Sequence, residues 1–173
     1  IDYLYQNDDG RFSNAGSQSG LSDTGRGSSA SWVDYDQDGD LDLLLVKNLE
    51  SNRLFRNEIN RKNSVAFRLV GKGKAGSNRN GIGARITVKM ESEGDTITQV
   101  REVVAGSGYL SQGGLDVLFG LGSAKSISSL TVVWPSGSQS VKKRIDVGSI
   151  ENGRFEIEEI LKKGIEPKTA VVT

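Results

Sequence analysis

The chain contains no cysteine and no histidine. Their absence removes disulfides, thiol nucleophiles, zinc sites of the Cys/His kind and any Ser-His-Asp triad formed within the chain. It does not assign a compartment, because a secreted bacterial protein lacks cysteine as readily as a cytosolic one. Proline is almost as scarce, at 2 in 173 residues, whereas glycine numbers 22. Apolar residues make up 35% and aromatic residues 6%, low values for a soluble domain. That balance suits short strands joined by glycine turns better than a helical bundle. No excess of either charge is present: Lys plus Arg and Asp plus Glu are 22 each. A nucleic-acid binder carries a basic excess, so that class is disfavoured. Long apolar runs are missing too. The longest, Leu41 to Val46, is interrupted by Asp42 and falls far short of the ~20 residues of a membrane helix, so no transmembrane segment is expected. No signal peptide is visible and the first residue is Ile, which reads as a processed product or a piece of something longer.

What the chain does have is Asp34-Tyr35-Asp36-Gln37-Asp38-Gly39-Asp40-Leu41-Asp42. Every second position is a carboxylate. Gathered in a folded loop, these groups repel one another unless a cation neutralises them. Oxygen ligands in this number suit a hard divalent ion, Ca²⁺ above all. In calcium-loop spacing, positions 1, 3 and 5 are Asp34, Asp36 and Asp38. Gly39 allows the sharp turn at position 6, the backbone carbonyl of Asp40 stands at position 7, and Asp42 is at position 9. An EF-hand also needs Glu at position 12 and a helix on each side. Position 12 is Leu45 and both flanks read as strands, so the loop reads as a calcium loop within a β-hairpin. Two alternatives are a solvated acidic turn with no ion and a catalytic Mg²⁺ site. Mg²⁺ keeps several waters and uses one or two carboxylates, whereas this loop supplies a near-complete cage.

Along the chain, Leu4-Tyr5-Gln6-Asn7 returns as Leu54-Phe55-Arg56-Asn57 at an offset of 50 residues, in the range of propeller blades. Asp9-Gly10 before Arg11-Phe12 reads as a hairpin turn entering a strand. Ser29 to Tyr35 and Leu41 to Val46 read as the two strands flanking the acidic loop. From Asn63 the texture changes. Strands are expected at Val65–Val70, Ala84–Met90, Thr96–Val104, Val117–Phe119, Leu130–Trp134, Gln139–Val147 and Arg154–Ile157, with turns at Glu93-Gly94-Asp95, Pro135-Ser136-Gly137 and Asn152-Gly153. That number of short strands indicates an antiparallel sandwich or small barrel. Glu158 to Lys163 reads as one helical turn and the last ten residues as a flexible tail.

Four features each have a bland reading. Gly71-Lys72-Gly73-Lys74-Ala75-Gly76 fits G-x-G-x-x-G, but a dinucleotide site needs a helix straight afterwards, and Ser77 to Gly83 is a poor helix. Lys72, Lys74, Arg79 and Arg85 make this loop locally basic, as a solvated loop or an anion contact. Trp134 reads as a core anchor at a strand end rather than a sugar-stacking residue, and Tyr109 as either packed or exposed.

Leu4-Tyr5-Gln6-Asn7, Asp9-Gly10-Arg11-Phe12, Gly20-Leu21 and the acidic nonapeptide Asp34 to Asp42 together resemble an FG-GAP/VCBS repeat, the calcium-binding blade of integrin-α-like propellers. The second half resembles the ASPIC/UnbV domain. It does so through Asn80 to Ile86, Gly106-Ser107-Gly108-Tyr109-Leu110-Ser111-Gln112, Phe119-Gly120-Leu121-Gly122 and Val133-Trp134-Pro135-Ser136-Gly137. The order is that of cartilage-acidic-protein-like and related bacterial proteins. The resemblance implies an all-β fold, with one propeller-type blade bearing a calcium hairpin loop followed by an antiparallel β-sandwich-like domain. The expected divisions are 1–62 for the blade and the start of the next repeat, 63–160 for the ASPIC/UnbV domain and 161–173 for the tail. It also implies a non-enzymatic protein that is extracellular, cell-surface or periplasmic. Its cofactor would be Ca²⁺, with ligands at Asp34, Asp36, Asp38, Asp40 and Asp42 and no catalytic residue. A single blade leaves sheet edges unpaired, so other protein chains or missing propeller blades are the expected partners. Alternatives in function are a carbohydrate-binding module and an accessory subunit of an enzyme complex.

Overall fold

The computed structural model describes residues 3–21, 23–58, 63–109, 111–149 and 153–160. Its strands are β1 (Tyr5–Asp8), β2 (Arg11–Asn14), β3 (Gly27–Val33), β4 (Asp42–Lys47), β5 (Arg53–Phe55), β6 (Ser64–Val70), β7 (Arg85–Ser92), β8 (Asp95–Glu102), β9 (Val117–Gly120), β10 (Ser126–Val133), β11 (Gln139–Asp146) and β12 (Arg154–Glu158). The fold is all-β. Helix among the described residues is limited to 3-10 turns such as Gly73–Ala75. The strands form four sheets, ordered β1-β2, β3-β4-β5, β12-β6-β9 and β11-β10-β7-β8. Neighbouring strands run antiparallel except β12, which joins β6 in parallel from Arg154↔Ala66 to Glu158↔Val70.

The chain divides into two compact units. The first takes the described residues of Ile1–Asp36, Leu41–Ile59 and Gly106–Gly113; the second takes those of Gln37–Asp40, Asn60–Ala105 and Gly114–Thr173. A linear division near residue 62 does not anticipate the two excursions, 37–40 and 106–113.

In the first unit, β1 and β2 meet at Asp9-Gly10, where both residues have positive φ (47° and 85°). That conformation matches the twist of a two-residue hairpin. The β3-β4-β5 sheet places Trp32 opposite Leu43 and Leu43 opposite Phe55, with Ala30 opposite Leu45. Period-two alternation therefore collects these side chains on one face.

The second unit is built around one core shared by its two sheets. Strand β6 alternates strictly, burying Val65, Phe67 and Leu69. Ile86, Val88 and Met90 of β7, Phe119 of β9, Ile127, Leu130 and Val132 of β10 and Ile157 of β12 complete the cluster. Phe67 meets Phe119 edge-on, ring centres 5.7 Å apart and planes at 67°, the geometry that aromatic quadrupoles favour. Full burial of a side chain of this size stabilises by roughly 1.5–3 kcal/mol. Trp134 is 2% exposed and its Nε1–H donates to Ser140 Oγ at 2.9 Å, so it is a core anchor.

One local expectation is corrected. Glu158 does not open a helical turn: it ends β12, because Ile157 must enter the core and the strand follows β6 to Val70. Lys163 and the rest of the expected tail, 161–173, lie outside the described residues.

Candidate metal centre

The acidic loop connects β3 to β4, as its spacing requires. Gly39 takes φ 96° and Gln37 φ 61°, so the chain reverses through two left-handed residues. Glycine adopts that conformation at no steric cost, whereas Gln37 pays a small one. The reversal brings Asp34, Asp36 and Asp42 together, with one carboxylate oxygen of each within 4.8 Å of the others. Asp38 and Asp40 stand outside this trio. Asp38 Oδ1 instead accepts the Asp40 N–H at 3.1 Å and shapes the tip of the loop.

Asp42 has a second role that its place in the pattern did not reveal. It is 1% exposed, and each of its oxygens accepts a backbone N–H: Oδ2 from Tyr35 at 3.1 Å and Oδ1 from Asn57 at 2.8 Å. It thus ties the entry of the loop to the segment after β5. Asn57 returns a second bond, from Nδ2 to the Leu41 carbonyl at 3.3 Å. The repeated Leu-aromatic-x-Asn motif now has a mechanical meaning. Its second occurrence, Leu54 to Asn57, lays a strand on β4 and then closes the acidic loop.

The donor set fits a hard divalent cation. Three carboxylates converge, and Asp36 Oδ1 is buried with no hydrogen-bond partner among the described residues. A buried carboxylate oxygen left in that state is costly unless a cation reaches it. Asp36 Oδ2 faces Arg56, whose Nε lies 2.9 Å away. Asp42 keeps lone pairs beyond its two N–H bonds. Asp34, Asp36 and Asp42 are therefore the side chains that would hold Ca²⁺, and the ion would supply the positive charge that lets them share one small volume.

At the opposite end of the β3–β4 hairpin, where Lys47 pairs with Gly27, sits an ion-pair cluster that sequence reading missed. Lys47 Nζ lies 2.8 Å from Asp23 Oδ1 and 2.7 Å from Glu50 Oε2, and Arg53 Nε lies 3.0 Å from Asp23 Oδ2. Asp23 also accepts the Gly25 N–H. The Lys47 bond, then the Gly25 bond, hold the Asp23 carboxyl below its ordinary range, and Asp23 and Glu50 in turn raise Lys47. No spacing rule links residues 23 and 47, so only the folded sheet could reveal them.

The glycine-rich loop does cradle an anion, and that anion belongs to the chain itself. Glu159 is fully buried. Its Oε2 accepts the N–H groups of Lys72 at 3.0 Å and Ser77 at 2.8 Å, and its Oε1 accepts the hydroxyls of Ser77, Ser136 and Ser138. Burial alone would push this carboxyl up. The Lys72 N–H, the Ser136 hydroxyl, the Ser77 N–H and the Ser138 hydroxyl together outweigh it and lower the group to about 2. No long helix follows the loop, and two of its N–H groups are committed to Glu159, so the dinucleotide reading fails on structure. Of the basic residues there, Lys72 pairs with Glu158 at 2.9 Å. Tyr109 is 75% exposed and packs into no core.

The first unit also carries an open apolar groove of about 350 Å³, lined by Tyr3, Leu4, Trp32, Leu43, Leu45 and Phe55 among others. Trp32 is 45% exposed there. Among the described residues no helix is long and apolar enough to cross a membrane.

Comparison with known families gives two matches. Residues 73–159, about half of the chain, match the family model described as ASPIC and UnbV, and residues 2–45 match an FG-GAP-like repeat. The acidic trio falls inside the second match. No curated protein matches the chain.

Proposed function

The chain belongs to the ASPIC and UnbV family, with an FG-GAP-like repeat ahead of that domain, and from that premise we propose that it is a non-catalytic, calcium-binding protein of the extracellular, cell-surface or periplasmic kind that acts in adhesion, scaffolding or assembly with other chains. The observation that carries the calcium reading is the convergence of Asp34, Asp36 and Asp42, together with a buried Asp36 oxygen that no N–H or O–H of the described residues satisfies. The role is stabilisation. A cation at the trio locks the β3–β4 connection and, through Asp42, the segment after β5.

Assembly is supported by the groove on the β3-β4-β5 sheet. Trp32, Leu43 and Phe55 form an apolar row on one face, and β5 presents an outer edge. Apolar faces and open edges of this kind mark surfaces that other strands cover. A further propeller blade or a partner chain is the occupant this reading assigns.

Thermal melts with excess Ca²⁺ and with excess chelator test the calcium reading. With free Ca²⁺ at about ten times the dissociation constant the folded state gains about 1.4 kcal/mol by mass action. For a chain of this size that is a rise of roughly 3–6 °C in melting temperature. Identical melts under the two conditions would sink it.

A further inference from the structure

The calcium reading leaves one charged group at the site without a role. Arg56 follows β5 directly, and its Nε lies 2.9 Å from Asp36 Oδ2 and 3.4 Å from Glu58 Oε1. Its backbone is fixed on both sides. Phe55 is paired with Leu43 in the sheet, and Asn57 is bonded to Asp42 Oδ1 and to the Leu41 carbonyl. Asp42 is itself a member of the acidic trio. The clasp that closes the loop therefore delivers a guanidinium to the same carboxylate that a metal needs.

We propose that Arg56 is a tethered counter-cation of the acidic site, which competes with Ca²⁺ for Asp36 and so sets the affinity of the site. The proposal rests on the calcium reading. A guanidinium has five N–H donors and no acceptor, so it cannot be a ligand. Beside a dication on a shared carboxylate it is a like charge, and the two repel. Glu58 is the second acid within reach of the same Nε and is 76% exposed at its side chain. Metal binding thus trades the Arg56 contact with Asp36 for one with Glu58 or with water. When no metal is bound, Arg56 offsets the mutual repulsion of the carboxylates and keeps the hairpin closed. The cost is a weaker hold on Ca²⁺.

The internal repeat shows the same position filled differently. At the offset of 50 residues, Arg56 corresponds to Gln6 in Leu4-Tyr5-Gln6-Asn7. The third residue of this motif is therefore a variable element. An Arg there brings a counter-cation to the acidic loop that precedes it, and a Gln brings none.

The test is calcium titration calorimetry on the full chain and on its Arg56→Gln variant. Arg56 is half exposed, so the change leaves the fold in place, and the Gln is the residue the first motif already uses. Removing an exposed competitor of this kind tightens Ca²⁺ binding by roughly two- to fivefold. A merely structural Arg56 gives the opposite sign, because loosening the clasp weakens binding. Equal or weaker binding by the variant, with clear binding by the unaltered chain, overturns the role given to Arg56 and leaves the calcium reading standing. Absence of binding in both overturns the calcium reading and this proposal with it.

Discussion

Glu159 illustrates how much a single side chain decides in this domain. A carboxylate without solvent contact is tolerated only because five donors from two separate loops converge on it. Even a methyl group nearby is excluded: a Cβ on Gly76 would stand 2.5 Å from Glu159 Oε2, which accounts for the third glycine of the G-x-G-x-x-G pattern. Because the folded carboxyl is lowered to about 2 from an ordinary 4.5, its contribution to stability is complete above the unfolded value. It is lost as pH falls from about 4.5 through about 2. The linked free energy is roughly 3 kcal/mol. Glu159→Gln is expected to be strongly destabilising near neutral pH, because its amide places two N–H donors among donors. It is also expected to flatten the acid limb of the stability curve. Urea unfolding between pH 2 and 7 checks both. An unaltered acid limb in the variant would show that other carboxylates govern it. None of this was legible in the sequence, since residues 72, 77, 136, 138 and 159 meet only after folding, whereas Trp134 could be read as a core anchor from its place at the end of an apolar strand.

At the scale of elements, alternation carried most of the information. Strands β6, β7 and β10 each bury one face, and their periodicity is visible in Val65 to Val70, Ala84 to Met90 and Leu130 to Trp134. Short β5 was visible only as a repeated motif, because three residues carry no period of their own. The parallel pairing of β12 with β6 was not legible at all, since strand direction depends on how the chain returns. For the hairpin, the sequence marked five acidic positions alike, but the structure gives them different duties. That difference is measurable. Asp42→Ala leaves the part-buried N–H groups of Tyr35 and Asn57 without the acceptor they have, a loss of roughly 1–2 kcal/mol that appears with chelator as well as with Ca²⁺. Asp36→Asn removes a charge from the trio but no backbone clasp, and is expected to erase the calcium-dependent rise while changing the melt in chelator by less than about 1 kcal/mol. Equal behaviour of the two variants in chelator would show that Asp42 is no more a clasp than Asp36. Within the ion cluster at the far end of the hairpin, Lys47→Met is expected to lower the melting temperature more than Glu50→Gln. Lys47 is the cation both acids share, and its loss leaves Asp23 buried beside Arg53 alone.

At the scale of the molecule, the two tryptophans report on different units. Trp32 lies in the first unit, on the strand that enters the acidic loop, and is half exposed; Trp134 lies in the core of the second. The trio Asp34, Asp36 and Asp42 belongs wholly to the first unit. A ligand that binds one folded unit stabilises that unit by mass action, and a chain of several units does not melt as one state by necessity. Fluorescence melts of the unaltered chain are therefore expected to contain a component that shifts with Ca²⁺. Trp32→Phe leaves Trp134 as the sole indole and is expected to yield a transition indifferent to chelator. The same pair measures assembly. Acrylamide is expected to quench Trp32, 45% exposed, but not Trp134, 2% exposed, in the isolated chain, and a blade or partner chain seated over Trp32, Leu43 and Phe55 is expected to remove that difference. If the Trp134 transition moves with Ca²⁺ as far as that of the unaltered chain, the cation stabilises both units as one cooperative body, and confining its effect to the first unit is wrong.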